Sequence, residues 1–434
     1  MSEAIRYEKD SDNIVVLTMD MPGQSANTMN EKYKVSMDEC IDRLEQEEAL
    51  AGVVITSAKS TFFAGGDLND LVKATPEVAQ EFMDSVTAIK AQLRRLELLK
   101  APVVAAINGA ALGGGYEICL ACNHRVAINN PKTKIGLPEV TLGLLPGGGG
   151  VVRLTRLLGL EAAAPFLLEG KQVNPEKALQ AGLIHELAES AEEMLAKAKA
   201  WCKSNAGVMQ PWDTRGYKVP GGTPSNPALA MKLPMIPAML KNKTKGCYPA
   251  PEAILSTAVE SLQVDVDTAF KIEGRYFTSL ATGPISTNMI KAFFFQLQQI
   301  SKGSSRPKGI DQYTTKQVGI LGAGMMGAGI AYSSATSGIS VVLKDISEEA
   351  AAKGKAYSEK LLAKRVSRGQ MSQEKADAVL ALIKPTANAE DLQGCDLVIE
   401  AVFEKQELKA AVTQEAEAQM LASGIMASNT SSLP

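Results

Sequence analysis

The segment VGILGAGMMGAG, residues 318–329, constrains the fold more than any other part of the sequence. An apolar run leads into glycines spaced as Gly322-x-Gly324-x-x-Gly327, and a helix-forming stretch follows. A strand that turns into a helix this way needs glycine where backbones pass closely, and it presents the helix N-terminus to a phosphate. Asp345 ends the next apolar run, where a carboxylate receives the hydroxyls of an adenosine ribose. The alternative is a tight turn without a ligand. We favour a doubly wound domain that binds NAD, since a carboxylate repels the extra phosphate of NADP.

Three glycine-rich segments in the first half of the chain share another pattern. They are FFAGGDL at 62–68, ALGGGYE at 111–117 and GLPEVTLGLLPGGGG at 136–150. Each places glycines where a strand is expected to end, so that a backbone N–H can approach a ligand without a Cβ in the way. Two such amides that face each other form an oxyanion hole.

Two glutamates belong to these segments. Glu117 lies among apolar residues, where burial is expected to raise its pKa, and Glu139 lies beside a glycine turn. Two carboxylates in unlike surroundings allow one to accept and the other to donate a proton on one small molecule. The structural alternative is a helix N-terminal residue and a surface turn residue. Because both occur with three glycine turns, we predict an acid/base pair.

Over about residues 10–200, at these motifs, the sequence resembles the enoyl-CoA hydratase (crotonase) superfamily. The resemblance implies a ββα spiral fold and an acyl-CoA substrate. It implies that the amides of Gly66 and Gly114 bind the thioester carbonyl, and that Glu117 and Glu139 hold the water that adds to trans-2-enoyl-CoA. The residues implied to bind substrate are Gly66, Asp67, Leu68, Asn69 and Gly114. Two alternatives stay open: Δ3,Δ2-enoyl-CoA isomerisation as the main activity, and a non-catalytic acyl-CoA-binding scaffold for a thiolase subunit.

The strands DLVIEAVFE, 396–404, and IMASNTSS, 425–432, resemble the 3-hydroxyacyl-CoA dehydrogenase family. Beyond the glycines, the residues implied to bind NAD are Met326, Asp345, Val402, Phe403, Glu404, Lys409 and Ser431. The order of hydratase, linker and dehydrogenase is similar to that of multifunctional enzymes of fatty acid β-oxidation, some of which pair with a thiolase. In the family, the chain continues to a catalytic histidine, whereas His124 and His185 here both precede the glycine motif. We therefore expect the chain as given to bind NAD at best, with dehydrogenase activity only in the full-length enzyme.

The sequence predicts an α/β protein of three segments. A crotonase-like domain covers 1–200, a proline-rich connection and helical linker covers 201–312, and a partial Rossmann domain covers 313–434. Strands are predicted at 13–20 and 51–57, and an irregular connection at 211–251, which holds eight of the twenty prolines.

Composition narrows the partners and the compartment. A net charge of −3 gives no electrostatic case for nucleic acid or an anionic membrane. Six cysteines in 434 residues favour a reducing cytoplasm, and we predict that Cys119 and Cys122 are structural, with no metal site. The apolar stretch 101–122 contains Glu117 and three consecutive glycines, which argue against a membrane span. The oligomeric state stays open, with a homo-oligomer one possibility.

Overall fold

The computed structural model describes residues 4–431, which divide into two compact units, the first ending at Ser305 and the second beginning at Arg306. The strands are β1 Ile5–Lys9, β2 Ile14–Met19, β3 Gly52–Ser57, β4 Val103–Ile107, β5 Ala111–Leu112, β6 His124–Ile128, β7 Ile135–Gly136, β8 Glu186–Ala188, β9 Gln317–Leu321, β10 Ser340–Lys344, β11 Ile383–Thr386, β12 Leu397–Glu400 and β13 Ile425–Ser428.

The α-helices are α1 Glu31–Gln46, α2 Leu68–Leu71, α3 Ala79–Glu97, α4 Gly114–Ala121, α5 Gly150–Leu158, α6 Leu160–Leu168, α7 Pro175–Gln180, α8 Ala191–Ser204, α9 Pro227–Ala230, α10 Met235–Thr244, α11 Pro249–Ser261, α12 Val266–Ala281, α13 Pro284–Ile290, α14 Leu297–Ser301, α15 Met325–Thr336, α16 Glu348–Ser367, α17 Gln373–Ala381 and α18 Gln406–Glu417. Single turns of 3₁₀-helix lie at Pro76–Val78, Glu139–Leu142, Pro211–Asp213 and Ala389–Leu392, and a π-helix lies at Lys291–Gln296.

The main sheet of the first unit has the order β1-β2-β3-β4-β6-β8. β1 and β2 are antiparallel, and every later strand pairs in parallel with its neighbour. The side chains of β3 and β4 are buried along their whole length. Parallel strands covered on both faces need continuous apolar runs, which explains why AGVVITS and PVVAAI lack the alternation of an exposed strand.

A second, shorter layer of extended chain accompanies the main sheet. After β2, β3, β4 and β6 the chain adds short extended pieces, and these pieces pair in sequence: Met29 with Gly66, Phe63 with Ala111, β5 with β7, and Ile135 with Val173. Repetition of strand, short strand and helix builds a spiral. Consecutive turns of the spiral therefore place the glycine segments 62–68 and 111–117 side by side.

The helical segment after residue 249 belongs to the first unit. α12 packs against α3 and α5, and α11 packs against α5, α6 and α12. The predicted irregular connection at 211–251 is partly wrong, because α10 is a ten-residue helix there. Its prolines cause no break, since Pro234 is the N-cap and Pro237 lies in the first turn, where no intrahelical N–H bond is lost. The predicted domain boundaries after residues 200 and 312 stay predictions.

The second unit is a parallel sheet with helices. Its strand order is β11-β10-β9-β12-β13, and every pair is parallel. The chain starts at the central strand β9, builds outwards through β10 and β11, and then crosses back to β12. This order places a crevice at the carboxyl end of β9, where α/β sheets bind ligands. The predicted doubly wound fold is confirmed.

Candidate active site

One cavity of about 920 Å³ in the first unit is lined by every residue for which the sequence predicted a role in that unit. These are Gly66, Asp67, Leu68, Asn69, Gly114, Glu117 and Glu139. They come from the second layer of the spiral and from the first turns of short helices. Convergence of polar groups in a largely apolar cavity is typical of a small-molecule site.

Glu117 lies in the first turn of α4 and is 3 % exposed. Its Oε1 accepts hydrogen bonds from the backbone N–H groups of Gly148 and Gly150, each at 2.7 Å. A Cβ at Gly150 would lie 2.7 Å from that oxygen, so the glycine run 147–150 forms a cradle that only glycine fits. The sequence pointed to this run without assigning it a partner. The N-terminus of α5 thus holds the Glu117 carboxylate, as a helix dipole favours.

Glu139 begins the 3₁₀-turn Glu139–Leu142 and is half-buried. Its carboxylate lies against the turn that precedes α4, because a Cβ at Gly113 would be 2.5 Å from Glu139 Oε1. Gly113 has φ +54°, a conformation that favours glycine. Glu139 Oε2 is buried and has no hydrogen-bond partner among the described residues. The two carboxylates therefore differ: amides hold Glu117, whereas Glu139 has an oxygen available.

Burial raises the pKa of both carboxyl groups. For Glu117 the next cause is the charge of Glu273, while the amide bonds from Gly150 and Gly148 act in the opposite direction. For Glu139 the next cause is the charge of Glu117. Two neighbouring carboxylates do not ionise together readily, so ionisation of one makes ionisation of the other less favourable.

The two predicted amide donors lie in adjacent turns. Position 65 has φ +104°, and a Cβ there would lie 3.8 Å from the amide nitrogen of Gly114. Among the described residues, neither the Gly66 amide nor the Gly114 amide donates a backbone hydrogen bond. Gly114 is buried and Gly66 is exposed, and both line the cavity. Because a buried amide seldom stays unpaired, the Gly114 amide in particular is suited to an oxygen bound in the cavity.

The helical segment supplies cavity residues that the sequence analysis missed. Phe277 of α12 and Phe293 and Phe294 of the π-helix line the cavity, together with Phe82 of α3. The ring centroids of Phe82 and Phe277 are 5.5 Å apart, and a Cβ at Gly147 would lie 2.3 Å from the Phe277 ring. These aromatic rings are a surface for an apolar tail. The sequence analysis predicted a helical linker in this part of the chain but gave it no role in the site.

The comparisons with known proteins follow this division of the chain. Residues 9–208 match the family described as enoyl-CoA hydratase/isomerase, and residues 317–434 match the NAD binding domain of 3-hydroxyacyl-CoA dehydrogenase. The chain joins an enoyl-CoA hydratase domain to a dehydrogenase NAD-binding domain. We call the first compact unit the hydratase unit and the second the NAD unit. The crotonase-like fold predicted for the hydratase unit is confirmed.

Solved structures similar to this chain include enoyl-CoA hydratases. The enzyme from Bacillus anthracis is 24% identical, with 69% of this chain and 97% of that chain covered and a TM-score of 0.43. The enzyme from Bacillus halodurans is 23% identical, with 67% and 100% covered and a TM-score of 0.47. An enoyl-CoA hydratase/isomerase from Mycobacterium paratuberculosis is 18% identical, with 67% and 99% covered and a TM-score of 0.48.

In the NAD unit, the glycine loop has the geometry that a dinucleotide requires. Gly322 has φ +93°, and a Cβ at Gly327 would lie 1.8 Å from the Gly322 carbonyl oxygen. A Cβ at Gly324 would meet nothing within 4 Å, so the loop is open on the side where α15 begins. No side chain caps that helix. The residues present therefore fit a pyrophosphate at the helix N-terminus.

Of the remaining predicted NAD contacts, Asp345 and Val402 adjoin this loop. Asp345 accepts hydrogen bonds from the amides of Ala323 and Ile346, each at 2.6 Å, and keeps lone pairs for further donors. Lys409 Nζ donates to Glu400 Oε1 at 2.9 Å. Glu400 is 2 % exposed and was missed, although the strand DLVIE ends on it. Three further predicted residues, Met326, Phe403 and Ser431, are exposed, and Val402 and Glu404 follow β12.

Two other expectations concern cysteines and membranes. Cys119 and Cys122 are fully buried on α4, as a structural role requires. Between residues 4 and 431, no group of three His, Cys, Asp or Glu side chains is placed to hold a metal ion. Over the same range, every helix is too short or too polar to cross a membrane.

Proposed function

We propose that the hydratase unit adds water across the C2=C3 bond of trans-2-enoyl-CoA, with Glu117 and Glu139 as the acid/base pair. The observation that carries this proposal is that both carboxylates and two available amides line one cavity. The family match supports hydration and isomerisation alike. Hydration is favoured because the addition of water needs both a base, which removes a proton from the water that attacks C3, and an acid, which donates a proton to C2. Two carboxyl groups with different surroundings can fill these two roles.

Glu117 is proposed as the base. Its two amide hydrogen bonds stabilise the ionised form, so it is the member of the pair that gives up its proton first. It removes a proton from water as the oxygen attacks C3. The electrons of the double bond move towards the thioester, and negative charge builds on the carbonyl oxygen. The amides of Gly66 and Gly114 are proposed to stabilise that charge, each contributing on the order of 3 kcal/mol.

Glu139 is proposed as the acid. Burial first, and then the charge of Glu117, raise the pKa of Glu139 and favour its protonated form. Its Oε2, which has no hydrogen-bond partner among the described residues, is available to deliver that proton to C2. The addition leaves Glu117 protonated and Glu139 ionised, the reverse of the starting state. Transfer of one proton between them, through product hydroxyl or water, restores the pair.

The remaining lining residues suggest how the substrate lies. Asp67 caps α2 through the amide of Asn69, at 2.9 Å, and holds the 66–69 turn at the cavity edge. We propose that the CoA moiety enters along this turn. The aromatic residues of α12 and the π-helix would then receive the acyl tail.

The test is the loss of absorbance of the conjugated thioester on addition of crotonyl-CoA. We expect Glu117→Gln to lower kcat by about 10²- to 10⁴-fold, because it keeps the shape but loses the base. Glu161→Gln, an exposed glutamate, is the matched control. Wild-type protein that leaves the absorbance unchanged, or a Glu117→Gln variant with full activity, would contradict the proposal. Comparing 2-enoyl with 3-enoyl substrates separates hydration from isomerisation.

For the NAD unit we propose NAD binding at the carboxyl end of β9. The residues that would hold it are the loop glycines for the pyrophosphate, Asp345 for the adenosine ribose, and Lys409 and Ser431 beside the nicotinamide half. When bound, NAD supplies a hydride acceptor for a 3-hydroxyacyl-CoA. Glu400 accepts a hydrogen bond from Lys409 Nζ and would hold that ammonium group in place.

Two further proposals concern the protein partner and the cellular compartment. We propose a thiolase subunit or a second copy of the chain as protein partner, supported by the joining of two β-oxidation domains in one chain. A cytoplasmic location is proposed because Cys119, Cys122, Cys202, Cys247 and Cys395 are free thiols.

A further inference from the structure

A buried lysine–glutamate pair lies beside α5, the helix whose N-terminal amides bind the Glu117 carboxylate. The side chains of Lys90 on α3 and Glu273 on α12 are 5 % and 0 % exposed, and Lys90 Nζ lies 3.1 Å from Glu273 Oε1. Removing two charges from water costs several kcal/mol per ion, and their attraction often only offsets that cost. Stability alone is therefore a weak reason for such a pair.

Glu273 reaches the same helix N-terminus as Glu117. Its Oε2 accepts a hydrogen bond from the amide of Val152 at 3.1 Å, while Gly150 in the same first turn of α5 donates to Glu117. The free amides of this turn are thus divided between two carboxylates. Glu273 is also the neighbouring charge that most raises the pKa of Glu117, after burial itself.

Lys90 balances that second carboxylate. Its ammonium also donates to the Phe270 carbonyl at 2.8 Å, so it binds α12 at two points. α12 approaches α3 closely because residue 274 is glycine: a Cβ there would lie 2.9 Å from Met83 Cε and 3.3 Å from Lys90 Nζ. Glycine inside a helix costs about 1 kcal/mol relative to alanine. Here it allows the approach that pairs Lys90 with Glu273.

We propose that Lys90 and Glu273 are positioning residues for Glu117. Glu273 fixes the first turn of α5, whose amides hold the Glu117 carboxylate, and Lys90 offsets part of the charge that Glu273 imposes on it. Both act outside the cavity and neither touches substrate. The inference rests on the proposed hydratase function, and it assigns part of the acid/base machinery to the helical segment beyond the matched residues 9–208.

Other charged groups lie on the elements around Glu117, and none of them is substituted in the test. Those on the elements around α4 are Glu139 of the 3₁₀-turn, Arg153 of α5, Glu97 of α3 and Arg125 of β6. Arg153 is neutralised by Glu97 at 2.7 Å and donates to the Gly148 carbonyl. Arg125 donates to carbonyls at the other end of α4.

The experiment compares the pH dependence of kcat for crotonyl-CoA hydration in four versions of the whole 434-residue chain: wild type, Glu273→Gln, Lys90→Met and the double variant. Glutamine keeps an acceptor for the Val152 amide and removes only the charge. We expect Glu273→Gln to move the acidic limb down by about one pH unit, Lys90→Met to move it up, and the double variant to lie near wild type. KM should change less than about threefold. Glu169→Gln, which removes the exposed partner of Lys243, should leave the limb in place.

The outcomes separate two failures. If wild type does not hydrate crotonyl-CoA, the proposed function fails. If wild type is active but Glu273→Gln is folded, active and unshifted, or if both single variants move the limb in one direction, the positioning role is overturned. Should Lys90→Met not fold, Glu273→Gln and the double variant decide, since neither leaves a carboxylate buried without a partner.

Discussion

At the scale of single residues, the surroundings of Glu117 and Glu139 give one residue type two roles. Glu117 is held by two amides, and Glu139 has a buried oxygen without a protein partner. Both sit where water is largely excluded, so each carboxylate costs free energy when it ionises. Placing two such carboxylates side by side lowers the stability of the fold, so a structural role alone does not explain them.

This cost leads to a prediction about stability. Burial raises the pKa of Glu139 in the folded state, so its stabilising contribution is present below the unfolded pKa and is lost as pH rises through the folded pKa. Glu139→Gln, which cannot ionise, should increase the free energy of unfolding at pH 8 by about 0.5–2 kcal/mol while lowering hydratase activity. Denaturant unfolding at pH 8 and at pH 5 measures the effect.

The gain at pH 5 should be smaller than at pH 8, because pH 5 lies close to the unfolded pKa of a glutamate, where a raised folded pKa costs little stability. Glu169→Gln, at an exposed position, should change stability little at either pH. A destabilised Glu139→Gln protein at pH 8 would show that the ionised carboxylate is paired in solution.

At the scale of elements, the glycine turns decide where the carboxylates and amides lie. Gly113 and Gly66 are both glycines of the site, yet their surroundings differ. At Gly113 the backbone has φ +54° and a Cβ would lie 2.5 Å from Glu139 Oε1. At Gly66 a Cβ would make an ordinary contact of 3.5 Å with Leu71 Cδ1.

We therefore expect the two alanine variants to behave differently. Gly113→Ala should lower kcat for crotonyl-CoA by about 10²-fold or more, since a displacement of roughly 1 Å at the reacting groups has that effect. Gly66→Ala should stay within a few-fold of wild type, because the amide remains in place. Steady-state kinetics on both variants, with circular dichroism to confirm folding, checks the pair. Equal losses would contradict the assignment of the Gly66 role to its backbone.

The helices at the end of the first unit show that apolar periodicity predicts a helix but not which groups its side chains contact. The helical linker predicted within 201–312 contains α11 to α14 and the π-helix. The periodicity did not indicate that Phe277 and Glu273, four residues apart on α12, would meet the cavity and the α5 N-terminus. A π-helix adds one residue per turn and often marks a functional site; here it places Phe293 and Phe294 on the cavity wall.

At the scale of the whole molecule, the two units carry separate sites, each built within its own unit. We expect Asp345→Ala to weaken NAD binding by about tenfold or more, since hydrogen bonds to a charged group contribute roughly 1.5–3 kcal/mol. Titration calorimetry measures the affinity. Asp377→Ala, which changes an aspartate bonded only to Gln373 on α17, is the control.

Hydration of crotonyl-CoA by Asp345→Ala should match that of wild type, because the substitution lies outside the hydratase unit. Unchanged NAD affinity in this variant would remove the ribose assignment without touching the hydratase. Loss of hydratase activity would show that the substitution acts beyond the NAD unit.

The sequence by itself determined the α/β class, the two ligand-binding folds and the residues most worth testing. Gly113 and Gly322 have positive φ angles, which favour glycine, so the sequence shows this local requirement directly. An acidic residue beside an apolar run can be recognised in the sequence in the same way. What only the tertiary structure decided is which distant groups share one electrostatic environment. The Gly148 and Gly150 amides, the ion pair of Lys90 with Glu273, and the aromatic wall come from elements far apart in the chain. Their effect on Glu117 depends on distance in space and on burial, and neither quantity is encoded at any single position.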